Sequence, residues 1–246
     1  MESTGPAAAA AGRRLRIWEI DFLRGVSIIL MVGYHLLFDL GEFRGMKSFL
    51  GFSTDLASPA WTAAQLLFAA IFVVLSGISS TLSRSNLRRG LKLLAVALAV
   101  TLVTWFFEPS ATVLFGILHC LAVSILIYGA AFEKKGPVAC AFVGGVILGL
   151  AAALPALRKA LAVDFDWLLP LGLFSPRFSS YDYFPLIPWL GVFLIGSSLG
   201  KWVYVRRRSL LPWAPRTAFI NFAGRHSLLI YIVHQPVILG VLYLLR

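Results

Sequence analysis

Long apolar runs broken by short basic loops dominate this chain, at intervals that suit helices crossing a bilayer. About 20 apolar residues, each rising about 1.5 Å, cover the roughly 30 Å of hydrocarbon. Runs of that kind predict seven spans, at about 23–41, 60–82, 91–107, 111–132, 137–155, 185–204 and 226–245. The third is short, and Lys92 at its start reaches for the interface. Between the fifth and sixth spans, DFDWLLPLGLF is too short to cross. Pro170, Pro176, Pro185 and Pro188 break it up, so it reads as an interfacial or re-entrant segment.

Composition narrows the class. Hydrophobic residues are 59% of the chain and charged ones 13%, against roughly half and a quarter in soluble domains. The mean hydropathy of +0.84 agrees. The expected fold is all-α, a polytopic helical membrane bundle of about seven transmembrane helices, lodged in the cell membrane as a multi-pass protein. A net charge of +11 would suggest nucleic acid in a soluble protein, but no DNA- or RNA-binding motif accompanies it. Most of the 22 basic residues instead mark one side of the membrane. They include Arg13, Arg14 and Arg16 near the start, Arg84 to Lys92, Lys134, Lys135, and Lys201 to Arg225. The positive-inside bias puts the N-terminus in the cytoplasm. Residues 1–15 read as a disordered cytoplasmic tail with no signal-peptide pattern, and 16–246 as one membrane domain. Cys120 and Cys140 lie in apolar runs and make neither a disulfide framework nor a metal spacing. No internal repeat is visible, which gives an inverted-repeat transporter no support.

Ionisable groups inside the spans are the candidate chemistry, because they are costly to insert. His35, His119 and His234 fall within spans. Counted from the span ends, they lie roughly 18, 18 and 12 Å from the cytoplasmic face. Histidine suits proton transfer near neutrality, but each could equally bond a neighbouring helix and hold the bundle. Asp39 is one helical turn from His35 on the same face. Gln235 and Pro236 follow His234. Asp182, before the sixth span, reads as either a helix cap or a site residue. Asp21 and Arg24 are spaced as an intrahelical ion pair; alternatively Asp21 and Glu19 hold Arg24 for a phosphorylated ligand from the cytoplasm. Arg88 and Arg89 could assist it, or serve only as topology markers. Walker, dinucleotide and HExxH motifs are missing.

Five segments, IDFLRGVSIILMVGYHLLFDL, FVVLSG, FGILHCLAVS, DYFPLIPWLGVFLIG and GRHSLLIYIVHQPV, occur in this order over residues 14–246. Together they resemble the catalytic-domain family of heparan-alpha-glucosaminide N-acetyltransferase, in its compact prokaryotic branch. The resemblance implies a transmembrane acyltransferase that takes acetyl-CoA from the cytoplasm. It passes the acetyl group to the amine or hydroxyl of an extracytoplasmic sugar. On that reading the catalytic residues are His35, Asp39, His119 and His234, and the substrate-binding ones are Asp21, Arg24, Arg88, Arg89, Asp182 and Gln235. The partners are membrane lipids, acyl-CoA and a saccharide or glycolipid acceptor, with a homodimer left open. Acetyl-CoA enters as donor substrate, and no metal is expected. One departure matters: the animal enzyme carries asparagine where His35 stands, and its proposed active histidine lies in the first external loop. This chain has no histidine in that loop, about 42–59, so His35 is the nearest substitute. The rival class is a proton-coupled transporter or flippase of a lipid or saccharide, since intramembrane histidines serve proton relays equally well.

Overall fold

The computed structural model describes residues 17–212 and 217–245. The expected tail at 1–15 lies outside the described residues, as do Arg13, Arg14, Arg16 and Arg216. Helix α1 (Trp18–Arg44) is followed by a small hairpin, β1 (Ser48–Phe49) and β2 (Phe52–Ser53). Then come α2 (Pro59–Thr81), α3 (Asn86–Phe107) and α4 (Ile117–Ile127), which runs on into a π turn at Tyr128–Phe132. Helices α5 (Pro137–Ala160), α6 (Leu186–Val203), α7 (Ala218–Arg225) and α8 (Ser227–Leu244) complete the bundle.

Local chemistry sets the ends. Gly45 closes α1 at φ 62°, a left-handed cap that glycine adopts without a Cβ penalty. The Ser85 hydroxyl accepts the Arg88 N–H at the start of α3. Pro59 and Pro137 sit in the first turns of α2 and α5, where the missing N–H costs nothing. The Lys201 ammonium donates to the carbonyls of Phe132, Glu133 and Lys135, closing the end of the π turn.

Six helices, α1, α2, α3, α5, α6 and α8, are long and apolar enough to cross a membrane. The seventh expected span is the shorter apolar helix Ile117–Phe132. Its outer part is not helical: residues 109–111 form a 3₁₀ turn, and Phe115 pairs with Tyr183 in an isolated bridge. Conversely, the third span gains a turn, because Ser85 caps it at Asn86 and it reaches 22 residues.

Helix α6 is the hub, packed between α2 and α5, with Phe193 and Leu194 fully buried. Small residues permit the approach: a Cβ on Gly77 would lie 2.2 Å from the Phe193 carbonyl oxygen. Helix α7 lies across α1 in the same way, where a Cβ on Gly25 would stand 1.9 Å from the Ile220 carbonyl oxygen. Gly25→Val is therefore expected to separate α7 from α1 and lower the melting temperature of detergent-purified protein. Bulky apolar side chains such as Leu102, Phe106 and Phe142 face outward, as a lipid-exposed surface requires.

Candidate active site

Helices α1 and α8 bring two of the three histidines together. The rings of His35 and His234 meet edge to face with centroids 4.9 Å apart. The Nδ1 of His35 is 2.9 Å from the Met31 carbonyl, which can only accept, so in the neutral ring Nδ1 carries the proton and Nε2 the lone pair. The Nδ1 of His234 is likewise 2.6 Å from the Tyr231 carbonyl, and its Nε2 is buried without a partner. One turn beyond His35, the fully buried Asp39 accepts a hydrogen bond from Gln235 Nε2 at 3.1 Å. Asp39 thus ties α1 to α8, while the Met31 carbonyl, not Asp39, orients the His35 ring.

His119 stands apart from this pair. Helix α4 begins at Ile117, so His119 is in its first turn and the depth counted from residue 111 does not hold. Its Nε2 is 3.1 Å from the Thr101 hydroxyl, which donates to the Val113 carbonyl at 2.7 Å, and its ring packs against Phe115. Its contacts knit α3 to α4.

Asp182 is a cap, as one of its two readings expected. It caps α4 and not its own helix: its Oδ2 accepts the Ile117 N–H at 3.0 Å and the Tyr231 hydroxyl at 3.0 Å. The Phe184 N–H bonds the Phe115 carbonyl and holds the two segments side by side. Burial pushes the Asp182 carboxyl above the ordinary aspartate range, against the two donors that favour its ionised form. A cavity of about 120 Å³ opens beside it, walled in part by His35, Tyr34, Gln65 and Tyr181.

The arginines gather at the other end. Arg24 donates to the Ser79 hydroxyl, and Arg89 to those of Ser80 at 3.1 Å and Ser76 at 3.3 Å. The two guanidiniums are close enough to repel, and Asp21 acts on Arg24 electrostatically. Glu19 does not join them. Its Oε1 accepts the N–H groups of Leu210 (2.5 Å) and Leu211 (3.1 Å), so it fastens the loop after α6. Arg24, Arg88, Arg89 and Lys92 line a second cavity of about 960 Å³. Phe72 and Tyr231 belong to the walls of both cavities, so the two abut there.

The sequence model of heparan-alpha-glucosaminide N-acetyltransferase, catalytic, matches residues 16–236, most of the chain. The chain belongs to this family. Membership makes it a multi-pass protein of a membrane acetyltransferase family, with acetyl-CoA the donor that family implies. Neither a curated protein nor a solved structure matches the chain. Tyr231 and the serines of α2 escaped the sequence reading. Tyr231 is three residues before His234, on the same helical face, and that spacing was the available signal. Among the described residues, no group of three or more histidine, cysteine or acidic side chains is placed to hold a metal ion.

Proposed function

We propose that this protein transfers an acetyl group from cytoplasmic acetyl-CoA to an amine or hydroxyl of an extracytoplasmic saccharide or glycolipid. The observation that carries the reading is the meeting of two unlike cavities at Phe72 and Tyr231. The larger is rimmed by arginines whose planar forks suit the phosphates of coenzyme A. Its basic rim belongs to the side that the positive-inside bias makes cytoplasmic. The smaller offers His35 with one free ring nitrogen. A pantetheine arm entering past the arginines would present its thioester carbonyl at the junction. The acceptor nitrogen or oxygen attacks that carbonyl as His35 Nε2 takes its proton. The carbon–sulfur bond breaks as the carbon–nitrogen or carbon–oxygen bond forms, and the proton passes to the departing thiolate, giving free coenzyme A. His234 supports the His35 ring, Asp39 with Gln235 braces the pair, and Asp182 positions Tyr231 beside them. His119 serves by fixing the α3–α4 wall of the site.

Purified protein given labelled acetyl-CoA and glucosamine is expected to release coenzyme A and label the sugar. Uptake of sugar into proteoliposomes without any acyl-CoA would favour the transporter instead. Arg89→Ala is expected to raise the KM for acetyl-CoA about tenfold or more, since charged hydrogen bonds contribute about 1.5–3 kcal/mol. A KM equal to that of the unaltered protein would remove Arg89 from the donor site.

A further inference from the structure

The cavities differ eightfold in volume, about 960 against about 120 Å³, and among the described residues only Phe72 of α2 and Tyr231 of α8 are common to their walls. Neither ring is free to swing without cost. Tyr231 is held by its hydroxyl on Asp182, whose own place is fixed by the Ile117 N–H. Phe72 and Tyr231 both pack against the core cluster built on Phe193, Leu194 and Leu121. His35 lies on the far side of this pair from the arginines, in the smaller cavity. A thioester delivered from the basic cavity meets this shared wall before it reaches His35. What lies beyond it is small. The space is about 120 Å³, less than the roughly 150 Å³ known to admit a benzene ring. The acceptor's reacting atom has to share it.

The geometry points to Phe72 and Tyr231 as an acyl-length filter: the pair admits an acetyl group to His35 and turns back acyl chains of several carbons. This rests on the acyl-CoA reading above. Phe72 sets the width of the passage, and Tyr231 is a positioning residue that keeps its ring in the wall through Asp182. The transfer itself is unchanged, with the carbon–sulfur bond broken, the acceptor bond made and the proton carried to the thiolate.

The test compares turnover of acetyl-CoA and hexanoyl-CoA, with glucosamine as acceptor, by full-length protein in detergent or nanodiscs. The unaltered protein is expected to favour acetyl-CoA strongly. Phe72→Ala is expected to raise the hexanoyl-to-acetyl ratio of kcat/KM about tenfold or more, the scale on which one methylene is discriminated in a tight pocket. Phe72→Leu, which keeps most of the packing, is expected to give an intermediate ratio and guards against misfolding of the alanine variant. Tyr231→Phe keeps the ring but loses the bond to Asp182; it is expected to lower kcat for acetyl-CoA and to loosen the ratio less than Phe72→Ala. Normal acetyl turnover with one ratio in all four proteins would overturn the filter and leave the acyl-CoA reading intact. Release of no coenzyme A from either donor by any of the four would remove that reading, and the filter with it.

Discussion

His35→Ala is expected to abolish sugar acetylation while leaving a folded, inserted protein. General-base groups contribute about 10²–10⁴ in rate, so the residual activity should fall at least about a hundredfold. The ring is half-buried and, among the described residues, its hydrogen bond goes to a carbonyl within its own helix, so its loss strands no polar group of another helix. The neighbouring imidazole provides the control. His234→Ala removes the ring against which His35 rests, 4.9 Å away, and its smaller expected effect falls on kcat. His119→Ala separates catalysis from structure, because its contacts are Thr101 and Phe115 on the α3–α4 wall. Coenzyme A release and product label, measured on all three at equal protein, decide the ranking. Full activity of His35→Ala would end its role as base, and a larger loss in His119→Ala would move the centre to α4.

The bundle was legible in the sequence because spans obey one demand, an apolar stretch of membrane length with its backbone bonded internally. Helices α2, α5 and α8 begin within a residue of their expected positions, where Pro59, Pro137 and His226 mark the turns. The fourth span failed at its outer end for a reason hydropathy does not carry. Residues 112–116 are mostly apolar like the helix after them, yet they are not helical and lie beside 180–184, because Asp182 supplies the cap that starts the helix at Ile117. That partner is 65 residues away. Helical depth alone would have paired His35 with His119, at equal depth; the meeting of His35 with His234 follows from the packing of α1 beside α8, which depth does not carry. The cradle of Ser76, Ser79 and Ser80 beneath the arginines was not legible either, since serines in a span of small residues look the same whether they line a cavity or pack against α6. Tyr231 was hidden among apolar neighbours in the same way. Glu19 misled by proximity: it is five residues, about a turn and a half of helix, from Arg24, but the amides of Leu210 and Leu211 claim its carboxylate.

Asp182→Ala is expected to be the most destabilising single change near the site. It strands two groups at once, the Ile117 N–H at the start of α4 and the Tyr231 hydroxyl between the cavities. A polar group left without its partner costs about 1–3 kcal/mol where water does not reach it. The loss for the pair is therefore about 2 kcal/mol or more, and the wall that Tyr231 forms is loosened with it. Asp182→Asn is the milder probe, retaining an acceptor for one donor while removing the charge that favours a helix N-terminus. An independent route to the same defect runs through Gly116. A Cβ there would lie 2.2 Å from Asp182 Oδ2 and 2.8 Å from Val113 Cγ1, so Gly116→Ala pushes the carboxylate off the Ile117 N–H without deleting it. If the cap fixes the site, Gly116→Ala and Asp182→Asn share one signature: a lowered melting temperature in detergent and a reduced kcat, with the KM for acetyl-CoA little changed because the arginines are untouched. Should Gly116→Ala melt and turn over like the unaltered protein, the carboxylate does not hold α4, and Tyr231 is kept in place by packing alone.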